Sequence, residues 1–127
     1  MVKSKKNKFN KRKVIMSILN ADYSNINHEE MATTIGLKVK HIPMLIGSFL
    51  EESVSILDAL KGSIDAKNYE QIKSNAHAIK GSAGNLRFNE VYEMAKEIEL
   101  SASSENEEFD YSAYFEAIKS AITTIPN

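Results

Sequence analysis

The fold is decided by residues 75–86, which read Asn-Ala-His-Ala-Ile-Lys-Gly-Ser-Ala-Gly-Asn-Leu. The apolar side chains of Ala76, Ile79, Ala83 and Leu86 recur every three or four residues, which predicts an amphipathic helix. A histidine, a lysine and two glycines lie at offsets 0, +3, +4 and +7, so they share the opposite face. We therefore expect a helix with a distinctive outer face, and the rest of the chain as its scaffold.

The two glycines of this stretch need a physical reason. One reading is that Gly81 ends a helix at Lys80 and that Asn85 starts the next one. The inward stripe, however, continues through Gly81 and Gly84, and each glycine inside a helix costs about 1 kcal/mol relative to alanine. Bare backbone beside His77 would instead let a bulky partner approach its imidazole.

The composition is that of one soluble domain. The chain has 127 residues, 43% of them hydrophobic, which is enough for a real core. It has no cysteine, which excludes disulfides, thiol catalysis and cysteine-based zinc sites. No apolar run is long enough to span a membrane, and the six residues Val14–Leu19 are too few for a secretion signal. We expect a cytoplasmic protein.

The charge is unevenly distributed. Residues 1–13 carry seven basic and no acidic side chains, whereas the remainder has 9 basic and 17 acidic ones. We expect residues 1–25 to form a basic N-terminal arm or linker, partly helical at Val14–Leu19, and residues 26–127 to form the folded domain. The arm is interpreted as a solvated tail, with weak attraction to nucleic acid or a membrane surface as the alternative.

Helical patterns account for most of the remaining chain. A short helix is predicted over His28–Ile35, with Asn27 as its N-cap and Gly36 at its end. A long helix is predicted from about Lys38 to Gly62, with its start set by Pro43, which is tolerated only in a first turn.

Three more helices complete the prediction. Asp65 is expected to cap the second long helix, which contains residues 75–86. A third begins after Asn89-Glu90, residues 101–108 are expected to be a loop, and the last helix runs from about Asp110 to Thr123. Because nothing alternates with period two, the predicted fold class is all-α: an antiparallel four-helix bundle with a short extra N-terminal helix.

The outer face of residues 75–86 suits one kind of chemistry. A neutral imidazole is a nucleophile near physiological pH, and a lysine one turn away can hold an anion attached to it. His77 and Lys80 therefore suit accepting and passing on a phosphoryl group. The sequence has no Ser–His–Asp set and no glycine-rich nucleotide loop, so a partner protein must bring the phosphoryl group and the metal.

Residues 76–83, Ala-His-Ala-Ile-Lys-Gly-Ser-Ala, resemble the signature of histidine-containing phosphotransfer (HPt) domains of bacterial and fungal two-component phosphorelays. The segments 49–52 and 95–99 also resemble this family, and the likeness extends over roughly Ile35–Ile122. It implies a four-helix bundle in which the phosphorylated histidine is exposed in the middle of a helix.

The resemblance also implies roles for individual residues. His77 would accept the phosphoryl group at Nε2, Lys80 would hold the phosphoryl oxygens, and Gly81 would give the partner clearance. Glu99 follows His77 by 22 residues and matches a family position that accepts a hydrogen bond from the histidine Nδ1; an ordinary solvated carboxylate is the alternative. Partner docking is expected to use Lys73, Ser74, Ser82, Gly84 and Arg87.

One residue departs from the family pattern. Members usually have glycine after the leucine that Leu86 matches, and here Arg87 stands instead. The arginine either alters the turn or adds a positive rim to the docking face, and it leaves the phosphotransfer residues untouched.

The implied function is that of a phosphorelay intermediate, a phosphoryl carrier without an ATP site rather than an enzyme. His77 would accept the group from a receiver-domain aspartate or a sensor histidine kinase and pass it to a response-regulator receiver. Mg²⁺ would belong to the receiver, so no cofactor or metal is expected on this domain. We expect a monomer that binds no nucleic acid.

Three alternatives remain open at this point. The domain could be a kinase substrate, or part of a larger hybrid sensor kinase. It could be a helical adaptor that binds signalling proteins without being phosphorylated. It could also be a nucleic-acid binder acting through residues 1–13.

Overall fold

The computed structural model describes residues 18–127, and every regular element in that range is helical. Helix α1 is His28–Ile35, and a 3-10 turn at Val39–His41 leads into α2, Ile42–Asp65. Helices α3, α4 and α5 are Tyr69–Asn85, Asn89–Ser103 and Tyr111–Thr123. The all-α prediction is confirmed for this range. The predicted arm at 1–13, and the predicted helix at Val14–Leu19 apart from its last two residues, lie outside the described residues.

The four longer helices pack around one hydrophobic core. Helix α3 contacts α2 and α4, and α5 contacts α4 and α2, with the most extensive contact between α3 and α4. All four helices contribute large apolar side chains that are at most 1% exposed: Ile42, Ile46, Leu60, Ile72, Ile79, Met94, Ile98 and Ile118. Burial of these stripes holds α3 in a fixed orientation, which determines what its outer face presents.

Several helix ends follow the sequence signals. Asn27 caps α1 by accepting a 3.0 Å hydrogen bond from the backbone N–H of Glu30. Gly36, with φ of 86°, ends this helix in the left-handed conformation. Pro43 lies in the first turn of α2, and Asp110 caps α5 by accepting from the N–H of Ala113. The expectations for Asn27, Gly36 and Pro43 are confirmed, and α5 begins within one residue of the predicted start at Asp110.

The predicted boundary between α2 and α3 is wrong. Helix α2 continues past Gly62 to Asp65, and the N-cap of α3 is Asn68, which accepts from the N–H of Gln71 at 3.2 Å. The helix ends where Lys67 adopts a φ of 53°, a conformation that glycine usually supplies. A lysine in that role gave no recognisable signal in the sequence.

The predicted loop at 101–108 is also partly wrong. Its first three residues belong to α4, which ends at Ser103. Ala102 is only 3% exposed, so one more turn of helix buries an apolar side chain. Glu105, with φ of 53°, then closes the helix in the same left-handed manner as Lys67.

The segment before α1 is tied to the bundle by Tyr23, which belongs to the range 1–25 assigned to the arm. Its backbone N–H donates to Oγ1 of Thr124 at 2.8 Å, and its ring lies 4.8 Å from that of Phe88. Its hydroxyl donates to Glu90 at 3.0 Å and accepts from the N–H of Val91 at 3.2 Å. That N–H is in the first turn of α4, so Tyr23 satisfies a backbone donor that the helix itself leaves unpaired.

Candidate functional site

His77 lies in the middle of α3 and points away from the core. Its neighbours Ala76 and Ile79 are completely buried, because they continue the apolar stripe of the helix. The His77 side chain is 69% exposed, as its position on the opposite face of α3 requires. The imidazole is therefore accessible to a partner protein without any unfolding.

The adjacent helix α4 supplies a carboxylate to this imidazole. Nδ1 of His77 lies 2.7 Å from Oε2 of Glu99, whose side chain is 15% exposed. An ionised carboxylate only accepts hydrogen bonds, so Nδ1 carries the proton of the neutral ring. The lone pair is then on Nε2, the nitrogen that faces away from Glu99.

The same carboxylate also binds Lys80. Nζ of Lys80 donates to Oε1 of Glu99 at 2.6 Å, and the lysine side chain is 22% exposed. This hydrogen bond raises the pKa of Lys80 above its ordinary value, against an opposing effect of partial burial. Partial burial pushes the pKa of Glu99 up, but the hydrogen bonds from Lys80 and His77 outweigh it and leave that pKa lowered. The pair is ionised at neutral pH.

The two glycines of α3 have different surroundings. A Cβ atom built on the exposed Gly81 would meet nothing within 4 Å. A Cβ atom on Gly84 would lie 3.2 Å from Cδ2 of Tyr92 on α4, a tight contact. Gly81 thus leaves open space on the side of the helix that carries His77, whereas Gly84 lets α3 and α4 approach each other closely.

The residues expected to dock a partner surround His77. Lys73 and Ser74 are exposed one turn before it, on the same face of α3. Ser82 donates to Oε1 of Glu52 on α2 at 3.1 Å. Arg87 lines a shallow depression together with Lys80, Gly81, Gly84 and Tyr92. Lys73 and Ser74 thus share the His77 face of α3, whereas Ser82 lies on the flank of α3 toward α2, and Gly84 and Arg87 lie on the flank toward α4.

Arg87 occupies a position that favours glycine. Its φ is 63°, and the N–H groups of Arg87 and Phe88 bond to the carbonyls of Gly84 and Ala83 at 3.2 and 3.0 Å. These two bonds form a Schellman motif, the helix-ending turn in which glycine usually adopts the left-handed conformation. The turn that glycine usually makes therefore also forms with arginine here. The exposed Arg87 side chain places a positive charge at the edge of the depression that Lys80 and Gly81 also line.

A comparison with protein-family models identifies the family of this chain. The family model described as Hpt domain matches residues 44–126, which include His77, Lys80 and Glu99. The chain belongs to the Hpt domain family. The resemblance inferred from residues 76–83 is thereby confirmed. Hpt domains are phosphocarriers that act in histidine phosphotransfer, and they interact with receiver domains and kinases. The chain matched no curated protein and no solved structure.

Two further properties concern the described part of this Hpt domain. Between residues 18 and 127, no group of three or more histidine, aspartate or glutamate side chains is arranged to hold a metal ion. None of the helices in this range is both long and apolar enough to cross a membrane.

The contact between Glu99 and Lys80 was not expected from the sequence. The resemblance to HPt domains implied the hydrogen bond between His77 and Glu99, with a solvated carboxylate as the alternative, and it assigned Lys80 only to phosphoryl oxygens. The signal that could have revealed the ion pair is positional: Lys80 lies one turn after His77 on the same face of α3. A carboxylate close to one of them is therefore close to the other.

Proposed function

We propose that this Hpt domain is a phosphorelay intermediate. Nε2 of His77 accepts a phosphoryl group from a receiver-domain aspartate, or from a sensor histidine kinase, and passes it to the aspartate of a response-regulator receiver. The observation that carries the proposal is the 2.7 Å contact between Nδ1 of His77 and Glu99. In the neutral ring this contact places the proton on Nδ1 and the lone pair on Nε2. The side chain is also 69% exposed, so Nε2 is accessible to a phosphoryl group on a partner.

The transfer step needs no base to remove a proton from the attacking nitrogen. The Nε2 lone pair of neutral His77 forms the N–P bond while the P–O bond to the donor aspartate breaks, and the electron pair leaves with the aspartate carboxylate. The Nδ1 proton stays in the hydrogen bond to Glu99. The phosphorylated ring then carries a positive charge, which the Glu99 carboxylate stabilises. Transfer to the next receiver reverses these changes.

The partner completes the site. The open space over Gly81 admits its active-site loops, and Lys73, Ser74, Ser82, Gly84 and Arg87 form the docking surface around His77. Mg²⁺ comes with the receiver, so the domain itself needs no metal or cofactor. The domain acts as a cytoplasmic monomer, with α2 to α5 as an antiparallel four-helix bundle. The encounter is transient, with an interface of small to moderate size.

Phosphotransfer profiling tests this function. Receiver domains of the source genome are phosphorylated with acetyl phosphate and Mg²⁺, incubated with the protein, and the label is followed. At least one receiver is expected to give an acid-labile, base-stable label that is absent in His77→Gln. The matched control is His41→Gln, an exposed histidine in the 3-10 turn, which should keep the label.

The same assay, repeated with autophosphorylated sensor kinases as donors, distinguishes the kinase-substrate and adaptor alternatives. Label from a kinase but from no receiver would make the domain a kinase substrate rather than a relay intermediate. Binding of receivers without any label would establish an adaptor and refute phosphotransfer.

A further inference from the structure

Lys80 is paired with Glu99 in the unphosphorylated protein. Its ammonium group is 2.6 Å from Oε1 of Glu99, and the other oxygen of the same carboxylate is 2.7 Å from Nδ1 of His77. The cation is thus bound to the same carboxylate that bonds to Nδ1 of the imidazole. The nucleophile Nε2 is across the ring, turned away from Glu99. In the unphosphorylated protein, Lys80 is therefore engaged by the Glu99 carboxylate.

Phosphorylation changes the competition for this lysine. A phosphoryl group brings close to two negative charges and three strong acceptor oxygens to Nε2. The Glu99 carboxylate offers Lys80 one negative charge, in a site that is only partly shielded from water. Lysine has a flexible four-carbon side chain and three donors, so rotation about its side-chain bonds can move the ammonium group between the two anions.

We infer that Glu99 is a positioning residue that holds Lys80 in the unphosphorylated protein and yields it to the phosphoryl group after transfer. The inference rests on the proposed function. Lys80 gains the phosphoryl oxygens at the expense of its ion pair with Glu99, so its net contribution to the phosphorylated state is reduced. Glu99 thereby sets how the phosphoryl group divides between His77 and a receiver aspartate, besides fixing the tautomer of His77.

A double-mutant cycle on Glu99 and Lys80 isolates this effect. Glu99→Gln retains an oxygen that can accept from Nδ1 of His77, but it removes the charge that holds Lys80. Loss of that charge also changes the stability of the phosphorylated ring directly. This direct effect is the same with and without the lysine, so the cycle cancels it.

The measured quantity is the equilibrium ratio of phosphorylated protein to phosphorylated receiver. The receiver used is the one that labels the wild-type protein fastest. Four proteins are compared: wild type, Lys80→Ala, Glu99→Gln and the double variant. We expect Lys80→Ala to lower the ratio about fivefold more in the Glu99→Gln protein than in the wild-type protein, since no ion pair then competes for the lysine.

Glu97→Gln provides the matched control. Glu97 is an exposed glutamate of the same helix α4, and it lies near Tyr114. Its substitution removes the same charge without freeing Lys80. The effect of Lys80→Ala in the Glu97→Gln protein should therefore equal the effect in wild type.

Each outcome is decisive. If Lys80→Ala has the same effect in the wild-type and Glu99→Gln proteins, Glu99 does not compete for the lysine and the inference is overturned, while phosphotransfer stands. If Glu97→Gln enhances the effect as much as Glu99→Gln does, the coupling is a general effect of charge and the inference also fails. If wild type exchanges phosphoryl groups with no receiver, the proposed function fails, and the inference with it.

Discussion

Nδ1 of His77 lies 2.7 Å from Oε2 of Glu99, although 22 residues separate the two in sequence. The contact joins α3 to α4, the two helices with the most extensive mutual packing. His77 and the carboxylate bonded to its imidazole are thus placed by the most extensive helix–helix interface among the described residues. This arrangement keeps the exposed imidazole in one tautomer and one orientation before any partner arrives.

The first prediction concerns the tautomer of His77. In wild type and in Glu99→Gln, the neutral ring should carry its proton on Nδ1, because both side chains offer an oxygen that accepts from it. In Glu99→Ala the proton should redistribute toward Nε2. Nitrogen-15 NMR of the imidazole distinguishes the two forms. A His77 spectrum in Glu99→Ala identical to that of wild type would show that Glu99 does not fix the tautomer.

The second prediction concerns pH. The pKa of Glu99 is lowered from its ordinary value of 4.5, so the unfolded state binds the proton more tightly than the folded state does. The stabilisation by Glu99 is therefore fully present above that ordinary value, and it is lost as pH falls through the lowered pKa. Wild type should exceed Glu99→Gln in free energy of unfolding by about 1 kcal/mol at pH 7.

Urea unfolding of both proteins at a series of pH values measures this difference. It should shrink as the pH is lowered from about 4.5. A difference that stays the same, or grows, as the pH falls below about 4.5 would contradict the ionised pair of Glu99 and Lys80.

The third prediction separates the two glycines of α3. Gly81→Ala should raise the free energy of unfolding by up to about 1 kcal/mol, because its Cβ meets open space and alanine favours the helix. Gly84→Ala should gain less or lose stability, since its Cβ would lie 3.2 Å from Tyr92. Urea unfolding ranks the two variants. A larger gain for Gly84→Ala would refute the distinction.

The clearance over Gly81 has its own test. Gly81→Phe should keep the far-UV circular dichroism of wild type, because the added ring can extend into solvent. It should block phosphoryl transfer from a receiver by occupying the space above His77. Full transfer activity in a folded Gly81→Phe protein would show that the partner does not need this clearance.

The fourth prediction concerns Arg87, whose φ of 63° disfavours any side chain with a Cβ atom. Arg87→Gly should raise the free energy of unfolding by about 1 kcal/mol. Arg87→Ala is the matched control, since it removes the same guanidinium but keeps the strained Cβ atom. Equal stabilities of the two variants in urea unfolding would exclude backbone strain as the cause.

The sequence predicted those parts of the fold that depend on local periodicity. The spacing of Ala76, Ile79, Ala83 and Leu86 indicated which face of α3 is buried, and all four are buried in the structure. His77 consequently had to face outward. Asn27 and Gly36 likewise indicated the ends of α1, because each meets a local backbone requirement with the residue type that usually meets it.

The parts that escaped prediction have two physical causes. Lys67 and Glu105 adopt the left-handed conformation usual for glycine, so the ends of α2 and α4 carried no recognisable signal. The ion pair between Lys80 and Glu99 depends on the axial offset between α3 and α4. The packing of the two helices sets this offset, for example through the close approach of Gly84 and Tyr92. Helical periodicity shows that His77 and Lys80 share a face of α3, but it does not predict which residue of α4 lies opposite them.

The most direct test of the account is to locate the phosphoryl group on the protein after transfer from a receiver. Nitrogen-15 and phosphorus-31 NMR of the phosphorylated protein identify both the residue and the ring nitrogen. The account predicts one phosphohistidine, at residue 77, with phosphorus bonded to Nε2 and the Nδ1 proton retained. Phosphorus on Nδ1 of His77, or on any other residue, would contradict it.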